Sequence, residues 1–150
     1  MGINIQKFSL RVVKESGGRY DLDKTIHMPI EAVWIFNEIV ELNQRTEEVC
    51  AMITLDVRNN VTGVFEVSIG SVSSSIVTPR EIFKRAILQN ADSVILAHNH
   101  PSGSLSPSSN DIDITNKLVQ TGKIMDIDVV DHLIIGNDDN YISMRSEGII

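Results

Sequence analysis

The stretch Val94-Ile95-Leu96-Ala97-His98-Asn99-His100-Pro101 runs a short apolar segment directly into two histidines spaced two apart. Apolar residues in unbroken succession fit a strand buried on both faces of a sheet. Side chains alternate along such a strand, so His98 and His100 point to the same face. They do so at the strand's end, where ligand sites of α/β sheets gather. Asp111, near the start of the next predicted helix, can fold back to complete a set of three. A His, His, Asp set leaves the fourth position of a tetrahedral metal open to water, which separates a catalytic centre from a closed structural one. Two imidazoles and a carboxylate suit zinc, and they also accept iron, manganese or nickel.

The elements on either side build an α/β sheet around this strand. Upstream, residues 49–57 form a near-continuous apolar run, right for a central strand. Asn59-Asn60 then turns the chain into residues 61–69 as the returning strand of a hairpin. Thr78-Pro79-Arg80-Glu81 opens a helix with a capping box and Pro at its first position, its inner stripe being Ile82, Phe83, Ala86 and Ile87. Downstream, Ser108 and Asp111 stand three apart before a helix predicted to end at Gly122. Residues 127–135 and 141–144 are the last strands, parted by the polar turn 136–140. Nearer the N-terminus, residues 4–13 alternate loosely enough for an edge strand that Ser16-Gly17-Gly18 ends. A helix is predicted over 29–42, and its segment Ala32-Val33-Trp34-Ile35-Phe36 is apolar almost all round, which calls for cover on most sides. The order β, α, β-hairpin, α, β, α, β, β makes one α/β domain over residues 1–150, a mixed sheet flanked by helices.

Composition narrows the function. The chain of 150 residues is 42% hydrophobic, carries a formal net charge of −7, and holds one cysteine, Cys50. That length suffices for a buried core. An acidic chain with scattered cations (Arg80, Lys84, Arg85) is not favoured to bind nucleic acid. One cysteine excludes an intrachain disulfide and every Cys-rich zinc motif; inside an apolar run it reads as a buried small hydrophobe. No apolar run reaches the ~20 residues of a membrane span, and residues 1–10 lack a signal-peptide core, so a reducing cytoplasmic setting is expected.

A hydrolytic metal needs a general base and an oxyanion donor besides its ligands. Glu47 and Glu48, at the head of the 49–57 strand, are the candidate bases; Glu66 and Glu81 are less well placed. Ser108 can offer a hydroxyl to an oxyanion, but capping the helix competes for the same side chain. Three related patterns do not fit. Helical zincins need H-E-x-x-H, and zinc deaminases need H-x-E with P-C-x-x-C, whereas residue 100 here is His. The letters His-Asn-His also stand adjacent, not spread along a ββα unit as in HNH nucleases.

His98-x-His100-Pro101, six residues, then Ser108-x-x-Asp111 resembles in full the JAMM signature of JAB/MPN+ domain metalloproteases. The wording His-Asn-His-Pro-Ser-Gly, with Pro107-Ser108 before Asp111, is similar more narrowly to RadC-type proteins. Pro79-Arg80-Glu81, Asp131-His132 and the Leu55-Asp56 strand end support it, so the likeness covers roughly residues 45–145. It implies the layered α/β architecture that JAB/MPN domains share with cytidine deaminases. It also implies a zinc metallopeptidase acting on peptide or isopeptide bonds. His98, His100 and Asp111 would then be metal ligands, Ser108 the oxyanion partner, and Glu48 the acid/base residue, with Glu47 as the fallback. Asp131 and His132 would either support the ligands or serve the core alone. The RadC label brings a second reading, a DNA-repair accessory protein, although the helix-hairpin-helix region of longer RadC proteins has no counterpart in these 150 residues. A scaffold that uses metal only for stability is a third. The substrate and the oligomeric state are not legible.

Overall fold

Val49–Leu55 (β1) and Ser93–Asn99 (β3) are buried along their whole length, and the sheet is built around them. In the computed structural model, which describes residues 1–70 and 77–150, five strands lie in the order β2-β1-β3-β4-β5. The others are Val61–Ile69 (β2), Asp128–Ile135 (β4) and Tyr141–Ser143 (β5). Only β3 and β4 run parallel, and the crossover between them carries the helix Ser109–Met125 (α3). All other neighbours are antiparallel, so the sheet is mixed as expected.

Helices cover both faces, because both faces of β1 and β3 are apolar. Pro29–Val40 (α1) sets Val33, Phe36 and Val40 against Ala51, Ile53, Ile95, Ala97 and Leu133. On the opposite face Pro79–Leu88 (α2) and α3 bring Ile82, Phe83, Ala86 and Leu118 onto Met52, Val94, Leu96 and Val129. Strand alternation assigns His98 to this second face, with Leu96 and Val94 beneath it. The candidate ligands His98 and Asp111 therefore lie between the sheet and α3.

The structure corrects several expectations. Residues 4–13 form no strand; Phe8 and Leu10 are more than 80% exposed. Alternation builds a strand only where a neighbouring edge accepts it, and the chain meets the outer edge of the sheet only at Thr25, which bridges Asn60. The first long strand stops at Leu55, since Asp56 turns the chain by accepting from Arg58 N and Asn60 N, and Asn59 adopts a left-handed φ of 60°. Trp34 is half-exposed although its neighbours Val33 and Ile35 are buried. Thr78 Oγ1 caps α2, but Glu81 turns to Lys84 and Arg85 instead of closing the box. Gly122 lies within α3, which continues to Met125 and ends on Asp126 at φ 54°. Its lack of a side chain serves close packing instead: a Cβ there would stand 2.4 Å from the Ile127 carbonyl. Among the described residues, no helix is long and apolar enough to cross a membrane.

Candidate metal centre

β3 delivers His98 at its buried end, and His100 follows one step beyond it. A tight turn then reverses the chain: Gly103 N donates to His100 O at 2.8 Å, with Pro101 in the second turn position that its fixed φ favours. The reversal returns the Ser104 carbonyl to the His100 ring, 2.9 Å from Nδ1. Asp111 arrives on the first turn of α3. Ser108 Oγ accepts from Asp111 N at 3.0 Å, and Asp111 Oδ2 accepts from Ser108 N at 2.8 Å. This reciprocal cap locks the carboxylate in place while leaving Oδ1 uncommitted to the helix.

Glu48 reaches the same place by strand register. Cys50 pairs with His98, so two further steps of the antiparallel ladder set Glu48 opposite His100, on the same face. Glu47 has the other parity and is exposed. One ligand atom from each of Glu48, His98, His100 and Asp111 lies within 4.8 Å of the other three. Glu66 and Glu81 stand outside this group, paired with Arg45 and with Lys84 and Arg85.

The hydrogen bonds determine which nitrogens face the centre. A carbonyl only accepts, so His100 Nδ1 carries a proton to Ser104 O and leaves Nε2 bare. Thr115 Oγ1 likewise must donate to Asp111 O, at 2.6 Å, so it accepts from His132 Nδ1, also at 2.6 Å. His132 Nε2 is then an acceptor, and His98 Nδ1 donates to it at 2.8 Å. His98 Nε2 is thereby left bare as well. Burial pushes His132 well below the ordinary histidine pKa and keeps it neutral.

Two bare nitrogens now face each other: His98 Nε2 and His100 Nε2 are 3.0 Å apart. Their lone pairs repel unless a cation lies between them. The Asp111 oxygens stand 3.5 Å from His98 Nε2 and 3.3 Å from His100 Nε2. Ligands 2.0–2.2 Å from a tetrahedral zinc are about 3.3–3.6 Å apart. The two carboxylate distances fall in that range, and the two imidazole nitrogens need to part by only about 0.3 Å to reach it. Burial works to raise the Asp111 pKa, but the His98 imidazole beside it and the Ser108 N–H that it accepts from hold its carboxyl well below the usual range. The carboxylate thus stays ionised, as a metal ligand must be. Cys50 is no part of it: burial first, then the charges of Glu48 and Asp111, push its thiol up to about 12.

Ser108 and His132 come out more sharply than the sequence allowed. Capping uses an Oγ lone pair, so the Ser108 hydroxyl proton stays available and the two roles do not compete. His132 touches the candidate ligand His98 directly, whereas Asp131 points elsewhere, accepting from Ser143 Oγ, Arg145 N and His132 N to pin β5. Thr115 was missed by sequence reasoning. Its one signal is its place four residues after Asp111, on the same helix face.

The chain's similarities agree with this geometry. A family model described as RadC-like JAB domain matches residues 29–149, a span that contains all four residues of the group. A UPF0758 protein of Desulfitobacterium hafniense (strain DSM 10664 / DCB-2) is 46% identical over 110 residues, 73% of this chain and 48% of its own length. A UPF0758 protein of Methanosarcina acetivorans is 47% identical over 109 residues, again 73% of this chain and 47% of its own. One from Syntrophomonas wolfei is 38% identical across 99% of this chain and 66% of its own length. The chain spans about half the length of the first two relatives. With a matching family model over most of its length and the described sheet, helices and donor cluster inside that match, the chain belongs to the RadC-like JAB domain family.

Proposed function

We propose that this domain is a zinc-dependent hydrolase of peptide or isopeptide bonds. One observation supports it above the rest: His98 Nε2, His100 Nε2 and the Asp111 carboxylate converge at 3.0–3.5 Å, with a second carboxylate, Glu48, beside them. His98, His100 and Asp111 would hold the ion. Bound there, zinc supplies Lewis acidity, polarising a carbonyl and letting water ionise near neutral pH. Zinc suits the borderline nitrogen and oxygen donors best.

Glu48 takes the proton from the attacking water as its oxygen bonds to the carbonyl carbon. It then returns that proton to the leaving amine nitrogen as the C–N bond breaks, so the carboxylate ends as it began. Ser108, through its unused hydroxyl proton, donates to the oxyanion that develops on the carbonyl oxygen. Asp111 orients Ser108 through the cap they share. The buried single cysteine and the acidity favour a cytoplasmic protein with a peptide or protein substrate over a nucleic-acid partner.

The test is bound zinc and peptide hydrolysis in wild type, Glu48→Gln and His100→Ala. The glutamine variant should keep zinc and lose at least about 10²-fold in rate, the size of a lost general base. The alanine variant should lose both. Equal rates in all three would end the reading.

A further inference from the structure

Asn99 sits between the two ligand histidines, yet alternation turns it to the opposite face, where it touches none of the metal donors. Its carboxamide is buried, 3% exposed, and reaches across to the chain entering β1. Oδ1 accepts from Val49 N at 2.8 Å. Nδ2 donates to Glu47 O at 2.9 Å and to Arg45 O at 3.3 Å. These partners lie on both sides of Glu48. The carbonyl of Glu48 itself accepts from Gly70 N at 3.0 Å. Residue 48 is therefore clamped through its neighbours by Asn99 and through its own carbonyl by Gly70, the residue after β2.

A buried carboxamide adds little net stability, since each bond replaces one to water. Three bonds from one side chain to backbone groups at residues 45, 47 and 49 instead fix the path of the chain there. They set the direction in which the Glu48 side chain leaves the strand. No hydrogen bond holds the Glu48 carboxylate itself among the described residues, so its placement depends on that backbone.

We propose that Asn99 is a positioning residue for Glu48: its three backbone hydrogen bonds fix the approach of the carboxylate to the metal centre. The proposal rests on the hydrolase reading only for its kinetic consequence. A displacement of about 1 Å can cost 10²-fold in rate, so Asn99→Ala should lower kcat by about that factor. KM and zinc affinity should stay within about twofold of wild type, because no metal donor moves.

The experiment compares wild type, Asn99→Ala, Asn99→Asp, Glu48→Gln and the double variant Asn99→Ala with Glu48→Gln, each loaded with zinc for kinetics and with cobalt for visible spectroscopy. Asn99→Ala should shift the cobalt absorption bands in the same sense as Glu48→Gln, and should cost less than about threefold in rate once Glu48 is already Gln. Asn99→Asp, whose neutral carboxyl keeps the acceptor and one donor, should fold and give an intermediate loss, which covers failure of the alanine variant to fold. Cobalt bands unmoved by either Asn99 substitution would overturn the proposal, as would a full 10²-fold loss in the Glu48→Gln background. If wild type cleaves no peptide but the cobalt bands shift as described, the hydrolase reading fails and the positioning role stands. If wild type cleaves and Asn99→Ala matches it, the reverse holds.

Discussion

Thr115→Val should weaken zinc binding without touching a ligand. Valine keeps the shape of a side chain that is fully buried and removes only the hydroxyl. That hydroxyl is the acceptor which obliges His132 to carry its proton on Nδ1. Without it, two outcomes compete. His132 can keep the proton where it is, leaving a buried N–H unsatisfied at about 1–3 kcal/mol. Alternatively the proton moves to His132 Nε2, which then donates to His98 Nδ1 and leaves the His98 proton on Nε2, the nitrogen that faces the centre. Either way the form that binds metal is penalised by about 1–3 kcal/mol, which corresponds to roughly 5- to 150-fold in affinity. Loss of a group that orients a ligand histidine commonly costs 10- to 100-fold, in the same range. The metal-free protein can escape through the second tautomer, so its own stability should fall by only about 1 kcal/mol, one hydrogen bond. Competition against a colorimetric zinc chelator measures the affinity, and urea unfolding of the metal-free protein measures the rest. Thr115→Ser, which keeps the hydroxyl, should restore most of the affinity. A valine variant within twofold of wild type would refute the tautomer argument.

Three further expectations concern the fold around the centre. Gly122→Ala should destabilise by about 1–3 kcal/mol in urea unfolding despite alanine's better helix propensity, because its Cβ would press on the Ile127 carbonyl; an unchanged or higher midpoint contradicts this. Cys50, 2% exposed, should react with a thiol reagent only as fast as the protein unfolds, and rapid labelling of native protein would show that β1 is not packed as described. The Asp56 carboxyl lies below its ordinary pKa through the Asn60 side chain and the backbone N–H groups it accepts, so its contribution is present above about pH 4 and lost as pH falls through the lower, folded value. Asp56→Asn, still able to accept at the turn, should therefore show a smaller loss of unfolding midpoint on acidification than wild type; identical pH profiles would count against that role.

Much of the centre is legible in the sequence because strand geometry is simple. His98 and His100 share a face by alternation, and the same parity separates Glu48 from Glu47 once the register with β3 is known. The cap between Ser108 and Asp111 is a local pattern, readable three residues apart. Thr115 and His132 depend on α3 lying across β4, a contact that spacing along the chain does not encode. The role of Asn99 is hidden for the same reason, since its partners are about fifty residues away. Residues 4–13 show the opposite error: a local pattern with no neighbouring strand to complete it. Gly122 was misread because glycine serves close packing as well as helix ends, and only the approach of Ile127 distinguishes the two.

The most direct test is anomalous diffraction at the zinc edge from crystals of the zinc-loaded protein. A single peak is expected 2.0–2.2 Å from His98 Nε2, His100 Nε2 and an Asp111 oxygen, with a water as fourth ligand within hydrogen-bond reach of Glu48. No peak among these side chains, or a peak whose fourth ligand is the Glu48 carboxylate, would contradict an open, hydrolytic centre.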